Sequence, residues 1–284
     1  MLKSLGKTAV QALLQRFRPA GDRPPCPGRW FEADVLPPST ALVHDFVREL
    51  GGDPSKVRGW LPPHLFPQWG LPLAAQALAG VPYPMLRVMN AGCLLQLHAP
   101  LPAGETLHVR ARLESIDESD SRAVLSTRIM TGTRSAPDAL EATLQAFVPL
   151  GRKERGARKE PLLVPAEAEE LERMVLDARA GLRFATLTGD FNPIHWIPPY
   201  ARAAGFRGAI LHGFGTFARA FEALTQQRLG GDPHALRQIE ARFTRPLVLP
   251  GRVGVYVGPA PGRLWVGDAP GAEAYLTGTY ETVA

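Results

Sequence analysis

The stretch "TGDFNPIHW", residues 188–196, puts an acid, an amide, a proline and a histidine into nine positions with little room for regular structure. Asp190 and His195 are two proton-handling side chains. The intervening Asn-Pro favours a turn that would let both converge on one water molecule. Asn192 either orients that water or braces the loop through an Asx-type hydrogen bond, and bracing is the favoured role. Read alone, Asp190 is better explained as a cap on a short helix over "PPYARAA", and a lone histidine is more often structural than catalytic.

The surroundings shift that balance. Downstream, "ILHGFGTFARAF" begins a helical periodicity near Gly213, at a first turn whose backbone amides lack intrahelical partners and favour negative charge. A proton-handling pair followed by an oxyanion donor is a set suited to proton transfer next to a carbonyl. His212 and Phe214 flank that donor and are expected to line the substrate. Arg207 and Arg245 are candidates for binding phosphates, although a solvated basic face explains each equally well.

The chain has 284 residues, 45% of them hydrophobic and 21% charged, which suits a folded protein of two modest domains. Its net charge of +5 is not gathered into a stripe with stacking aromatics, so nucleic acid is set aside. The most apolar region, "LPLAAQALAGVPYPMLRVM", is broken by prolines and an arginine, and no membrane span is expected. Two cysteines, Cys26 and Cys93, exclude a disulfide framework and fit a reducing, cytoplasmic setting. Residues 1–22 read as a basic amphipathic segment, for which a docking helix is favoured over an organelle-targeting peptide or surface anchor. His44, His64, His98, His108 and His234 lack companions at ligand spacing, so no metal is expected. There is no Gly-rich phosphate loop and no Gly-x-Ser-x-Gly elbow.

The two halves share a pattern. A helical segment, "PLAAQALAGV" or "GTFARAFEALTQQRL", precedes strand-like runs, and "LHAPLPAGETLHVRARL" at 97–113 resembles "FTRPLVLPGRVGVYVGP" at 243–259. Each of these reads as a hairpin, with Pro ending one strand and Gly104 or Gly251 turning the chain. The charge-dense residues 151–173, with no strand pattern, are read as a linker between units at 23–150 and 174–284. The fold class is therefore α+β, two copies of a helix-plus-antiparallel-sheet unit.

The block Gly189, Asp190, Asn192, Pro193, Ile194 and His195, with Ala201, Gly205, Phe206, His212 and Gly213 further on, closely resembles the hydratase 2 motif of the MaoC-like dehydratases. That resemblance implies a tandem, or double, hot-dog fold, each unit a central helix wrapped by an antiparallel β-sheet. The first unit lacks the motif and on the family pattern is non-catalytic. The implied activity is hydration and dehydration between trans-2-enoyl and (R)-3-hydroxyacyl thioesters, in fatty acid metabolism. Asp190 and His195 would activate water, and Gly213 would polarise the carbonyl. The implied partner is an acyl-CoA or an acyl-carrier-protein thioester, with no cofactor beyond the CoA of the substrate, and a homodimer of such chains is compatible with it. An acyl-thioester thioesterase and a non-catalytic acyl-thioester-binding subunit stand as alternatives, because the fold alone does not fix the chemistry. The chain departs from many motif bearers in having Trp196-Ile197-Pro198-Pro199 where an acid follows the histidine, which gives a more apolar rim.

Overall fold

A computed structural model describes residues 23–84, 88–150 and 160–283. The basic N-terminal segment and most of the charge-dense part of the expected linker lie outside the described residues. The first unit contains β1 (Phe31–Val35), helices α1 (Thr40–Glu49) and α2 (Pro67–Ala77), then β2 (Met89–Leu97), β3 (Leu107–Ser119), β4 (Arg122–Gly132) and β5 (Leu140–Pro149). The second contains β6 (Glu169–Leu176), α3 (Ala180–Thr188), α4 (Pro198–Ala203), α5 (Gly213–Arg228), then β7 (Leu236–Phe243), β8 (Gly251–Val257), β9 (Arg263–Gly267) and β10 (Ala274–Thr282).

All ten strands form one antiparallel sheet in the order β1-β3-β4-β5-β2-β7-β10-β9-β8-β6. Read outward from the middle, each half has the same order: its second strand innermost, then its fifth, fourth, third and first. The repeat seen in sequence is thus a repeat of topology. The halves join where β2 pairs with β7, with Cys93 opposite Ala241 and Leu95 opposite Ile239. Gly92 is required at this seam, because a Cβ there would lie 2.2 Å from the Ala241 carbonyl oxygen.

Two expectations are corrected. The Pro-Leu…Gly segments do not close hairpins: β2 is bonded to β5 and β7, and β3 to β1 and β4. The chain crosses over two strands at each of these connections. Proline and glycine mark where a strand stops and the next starts, but the choice of partner is made by the rest of the sheet. The hairpins are β3–β4, β4–β5, β8–β9 and β9–β10. In addition, β6 begins at Glu169, inside the stretch expected to be linker. It is an edge strand with most of its acidic residues exposed, a position where charge is tolerated and discourages edge-to-edge pairing.

Helix α5 is buried along most of its length, with Phe214, Phe217, Ala218, Phe221 and Thr225 forming one apolar stripe at helical spacing. Two charged residues are buried with it, Arg219 and Glu222. Arg219 donates to Glu49 Oε1 at 2.8 Å, and Arg183 reaches the other Glu49 oxygen at 2.7 Å. Burial still holds the Arg219 guanidinium below its ordinary pKa, so the carboxylate from the first unit only partly offsets the desolvation. One core joins residues of both units. No helix of the described residues is long and apolar enough to cross a membrane.

Removing Glu49 leaves an uncompensated guanidinium in that core. Glu49→Ala is expected to lower the unfolding free energy by about 3 kcal/mol in urea denaturation. An unchanged midpoint would show that the first unit does not hold α5 in this way.

Candidate active site

The site is assembled by three short anchors. Helix α3 ends at Gly189, whose φ of +83° is a left-handed cap conformation that suits glycine. The chain then passes Asp190, whose Oδ1 accepts from Asn192 N at 3.4 Å, and enters the turn Pro193–His195. Asn192 caps that turn, its Oδ1 accepting from Ile194 N at 3.3 Å, so the amide braces the loop. Asp190 does not cap the helix that follows: α4 starts after Ile197 with no side-chain cap.

The second anchor is residues 209–211, held as an extended strap by Leu211 N to Leu247 O and Leu249 N to Ala209 O, both 2.8 Å. This strap presents the Ile210 carbonyl to the His195 Nδ1–H, which donates to it at 2.8 Å. A carbonyl can only accept, so the bond sets the tautomer and leaves His195 Nε2 with a lone pair. The third anchor is Gly181 in the first turn of α3, where a Cβ would sit 1.9 Å from the His195 carbonyl oxygen. Nothing in the sequence pattern singled out Gly181; a glycine in an otherwise good helical stretch was the available signal.

His212 belongs to this constellation. Its ring stacks on that of His195 with centroids 3.6 Å apart, and its Nε2–H donates to the Asp190 main-chain carbonyl at 2.9 Å. One ring nitrogen of each of His195 and His212 and a carboxylate oxygen of Asp190 all lie within 4.8 Å of one another. The trio has the composition of a metal site but not its geometry. Each imidazole lone pair lies in its ring plane, and two planes 24° apart and stacked do not converge on a point at bonding distance from both nitrogens.

Burial lowers the pKa of both histidines. For His195 it outweighs the carboxylate of Asp190 and the Ile210 carbonyl, which pull the other way. His212 is brought to about 4, mainly by burial and then by the proximity of His195. Both rings are therefore neutral at pH 7, which leaves His195 able to accept a proton.

Gly213 is the first residue of α5, preceded by His212 at the cap position with no side-chain cap bond. The amides of the first turn thus have no intrahelical acceptor and sit at the positive end of the helix dipole. A Cβ on Gly213 would lie 2.8 Å from the Phe243 ring, so this glycine is needed for core packing as well as for access. Phe214 is buried edge-to-face against Phe66 and near Phe243, forming part of the core wall behind the amides and not an open surface. Arg207 is exposed, with no ion pair among the described residues. Arg245 is already committed: it pairs with Asp268 at 2.8 Å and Glu273 at 3.1 Å and lies over the Tyr275 ring. An opening of about 270 Å³ beside His108, Arg110 and Asp138 is lined by the first unit and includes none of these residues.

A tandem α+β protein with a histidine–carboxylate pair facing an uncapped helix N-terminus is the class these features define. Residues 168–258 match the family model of the MaoC like domain. Relatives include a probable enoyl-CoA hydratase 2 of Dictyostelium discoideum, 21% identical over 188 residues that cover 64% of each chain. A 3-hydroxyacyl-thioester dehydratase Y of Mycobacterium tuberculosis is 34% identical over 170 residues, covering 55% of this chain and 56% of that one. The chain thus matches less than two thirds of the length of these curated relatives. Among solved structures, HtdX of Mycobacterium tuberculosis superimposes with a TM-score of 0.71 at 20% identity, over 90% of this chain and 100% of that one. Another M. tuberculosis protein, described as a double hotdog fold, does so with a TM-score of 0.61 at 14% identity over 91% and 96%. The double hot-dog architecture implied by the motif is borne out.

The lowered pKa of His212 gives a signed expectation. The unfolded chain binds a proton below about pH 6.5 that the folded state refuses until about pH 4, so stability is full above 6.5 and falls as the pH drops through this window. His212→Phe is expected to flatten that slope in urea denaturation measured from pH 7 to 4. An unchanged slope would show that His212 is not held neutral.

Proposed function

We propose that the protein is a hydro-lyase interconverting trans-2-enoyl and (R)-3-hydroxyacyl thioesters of CoA or a carrier protein. The observation that carries this reading is the His195 tautomer. With Nδ1 tied to Ile210, Nε2 is left with a lone pair, in a cluster that brings His195, His212 and the Asp190 carboxylate within 4.8 Å of one another just before the first turn of α5. The names of the curated relatives point to the same reaction class.

In the hydration direction, one water lies between His195 Nε2 and Asp190. As its oxygen bonds to C3, a proton passes to the pair, and the C2–C3 electrons move toward the thioester carbonyl. The first-turn amides of α5 donate hydrogen bonds to that oxygen as charge develops. The pair then returns a proton to C2, completing the addition of H and OH with the thioester bond intact. The reaction needs no redox group or electron sink, and we assign no cofactor beyond the CoA of the substrate. Cys26 and Cys93 are both free, and we place the protein in a reducing, cytoplasmic setting.

Asp190→Asn and His195→Gln should each lower hydration of a short trans-2-enoyl-CoA by at least about 10²-fold while leaving the unfolding midpoint in place. Loss of the conjugated enoyl absorbance is the readout. Near-normal turnover in either folded variant would exclude the pair. Gly181→Ala should cost turnover as well, since its methyl group displaces the His195 backbone, and a fully active, equally stable Gly181→Ala would show that the anchor is dispensable.

A further inference from the structure

One carboxylate from the first unit holds both helices of the site. Glu49, the last residue of α1, divides its oxygens: Oε1 accepts from Arg219 of α5 at 2.8 Å and Oε2 from Arg183 of α3 at 2.7 Å. Arg219 is buried and depends on this carboxylate for charge compensation. Arg183 differs, with 42% of its side chain exposed, and an ion pair at that exposure adds little to stability. It nonetheless makes three bonds to two carboxylates, its Nη1 also meeting both Asp177 oxygens at 2.9 Å.

What Arg183 fixes is the seat of α3. Residues two apart on a helix lie on nearly opposite faces, and residues three apart share one. Arg183 therefore reaches α1 from one face while Gly181 and Phe184 present another to the site. Gly181 admits the His195 carbonyl oxygen, from which a Cβ would lie 1.9 Å away. Phe184, 1% exposed, tilts against the His212 ring with centroids 4.9 Å apart. A Cβ on Gly215, in the first turn of α5, would lie 3.4 Å from the Phe184 ring. One ledge thus touches the His195 backbone, the His212 ring and the start of α5. The Phe184 ring also lies 6.3 Å from that of Phe46 in α1, so the two helices pack together and Arg183 sets how they lie.

We propose that Arg183 is a positioning residue: through Glu49 it seats α3 so that the ledge holds the His195 ring in register with His212 and the first turn of α5. It touches no reacting atom and acts through Gly181 and Phe184. Its effect on turnover rests on the hydratase reading, whereas its effect on the His195 ring stands apart from that reading. A displacement of about 1 Å at a reacting group costs up to about 10²-fold in rate, so a ledge loosened by part of that distance predicts a fall of roughly tenfold.

The experiment compares the full chain as wild type and as Arg183→Met, which keeps the length of the side chain and removes its charge. Steady-state hydration of a short trans-2-enoyl-CoA gives kcat and KM, and urea denaturation reports folding. Histidine-ring ¹⁵N–¹H NMR, with His195→Gln assigning the signal, follows the Nδ1–H bond to Ile210. Arg183→Met is expected to unfold near the wild-type midpoint, to lose roughly tenfold in kcat with KM within about twofold, and to shift the His195 Nδ1–H resonance. An unchanged kcat, a rise in KM alone, or a lower kcat with the His195 resonance in its wild-type place overturns the proposal. If Arg183→Met does not fold, Arg183→Gln, which keeps one donor for Glu49, is read by the same two signals. Failure of the wild type to hydrate any enoyl-CoA sinks the hydratase reading alone, and the His195 resonance then decides the positioning role.

Discussion

A helix buried on most of its surface can carry charge only where another element neutralises it, and α5 places three demands of this kind. Arg219 requires Glu49, Glu222 lies against His64, and the unpaired amides at Gly213 follow His212, whose ring stacks on His195. The first two partners come from the unit that lacks the motif. That unit therefore has a physical reason to persist as a folded neighbour: without Glu49, the buried Arg219 guanidinium would lose its carboxylate. The third demand is the one the proposed reaction would draw on, since a helix terminus left uncapped by protein is free to stabilise charge on a ligand.

The same economy governs the loop. Gly189 turns the chain, Asn192 caps the following turn, the Ile210 carbonyl fixes one histidine and the Asp190 carbonyl accepts from the other. Few side chains are left to choose their own orientation. Burial supplies the remaining property, keeping both imidazoles neutral at working pH so that a free nitrogen is available as a base.

Much of this was legible in the sequence, and the rest was not for identifiable reasons. The block around Asp190 and His195 was legible because turn chemistry and proton chemistry share residue types at fixed spacing. The duplication was legible because Pro and Gly mark strand ends in both halves. Strand pairing was misread at those same marks, since β2 and β7 find partners far along the chain. β6 was hidden because an edge strand need not show an apolar face. Gly181 and the role of His212 were hidden because both depend on contacts with residues 14 and 22 positions away in sequence. Arg245 looked available for a phosphate until Asp268 and Glu273 were seen to hold it.

In the proposed reaction, one neutral histidine beside one carboxylate adds water to C3 of an enoyl thioester held at the N-terminus of α5. Turnover of a trans-2-enoyl-CoA in ¹⁸O-labelled water, followed by mass analysis of the products, tests it most directly. Hydration by this route places one ¹⁸O in the C3 hydroxyl of an intact 3-hydroxyacyl-CoA. Label in a free carboxylate together with released thiol would contradict it and make the protein a thioesterase.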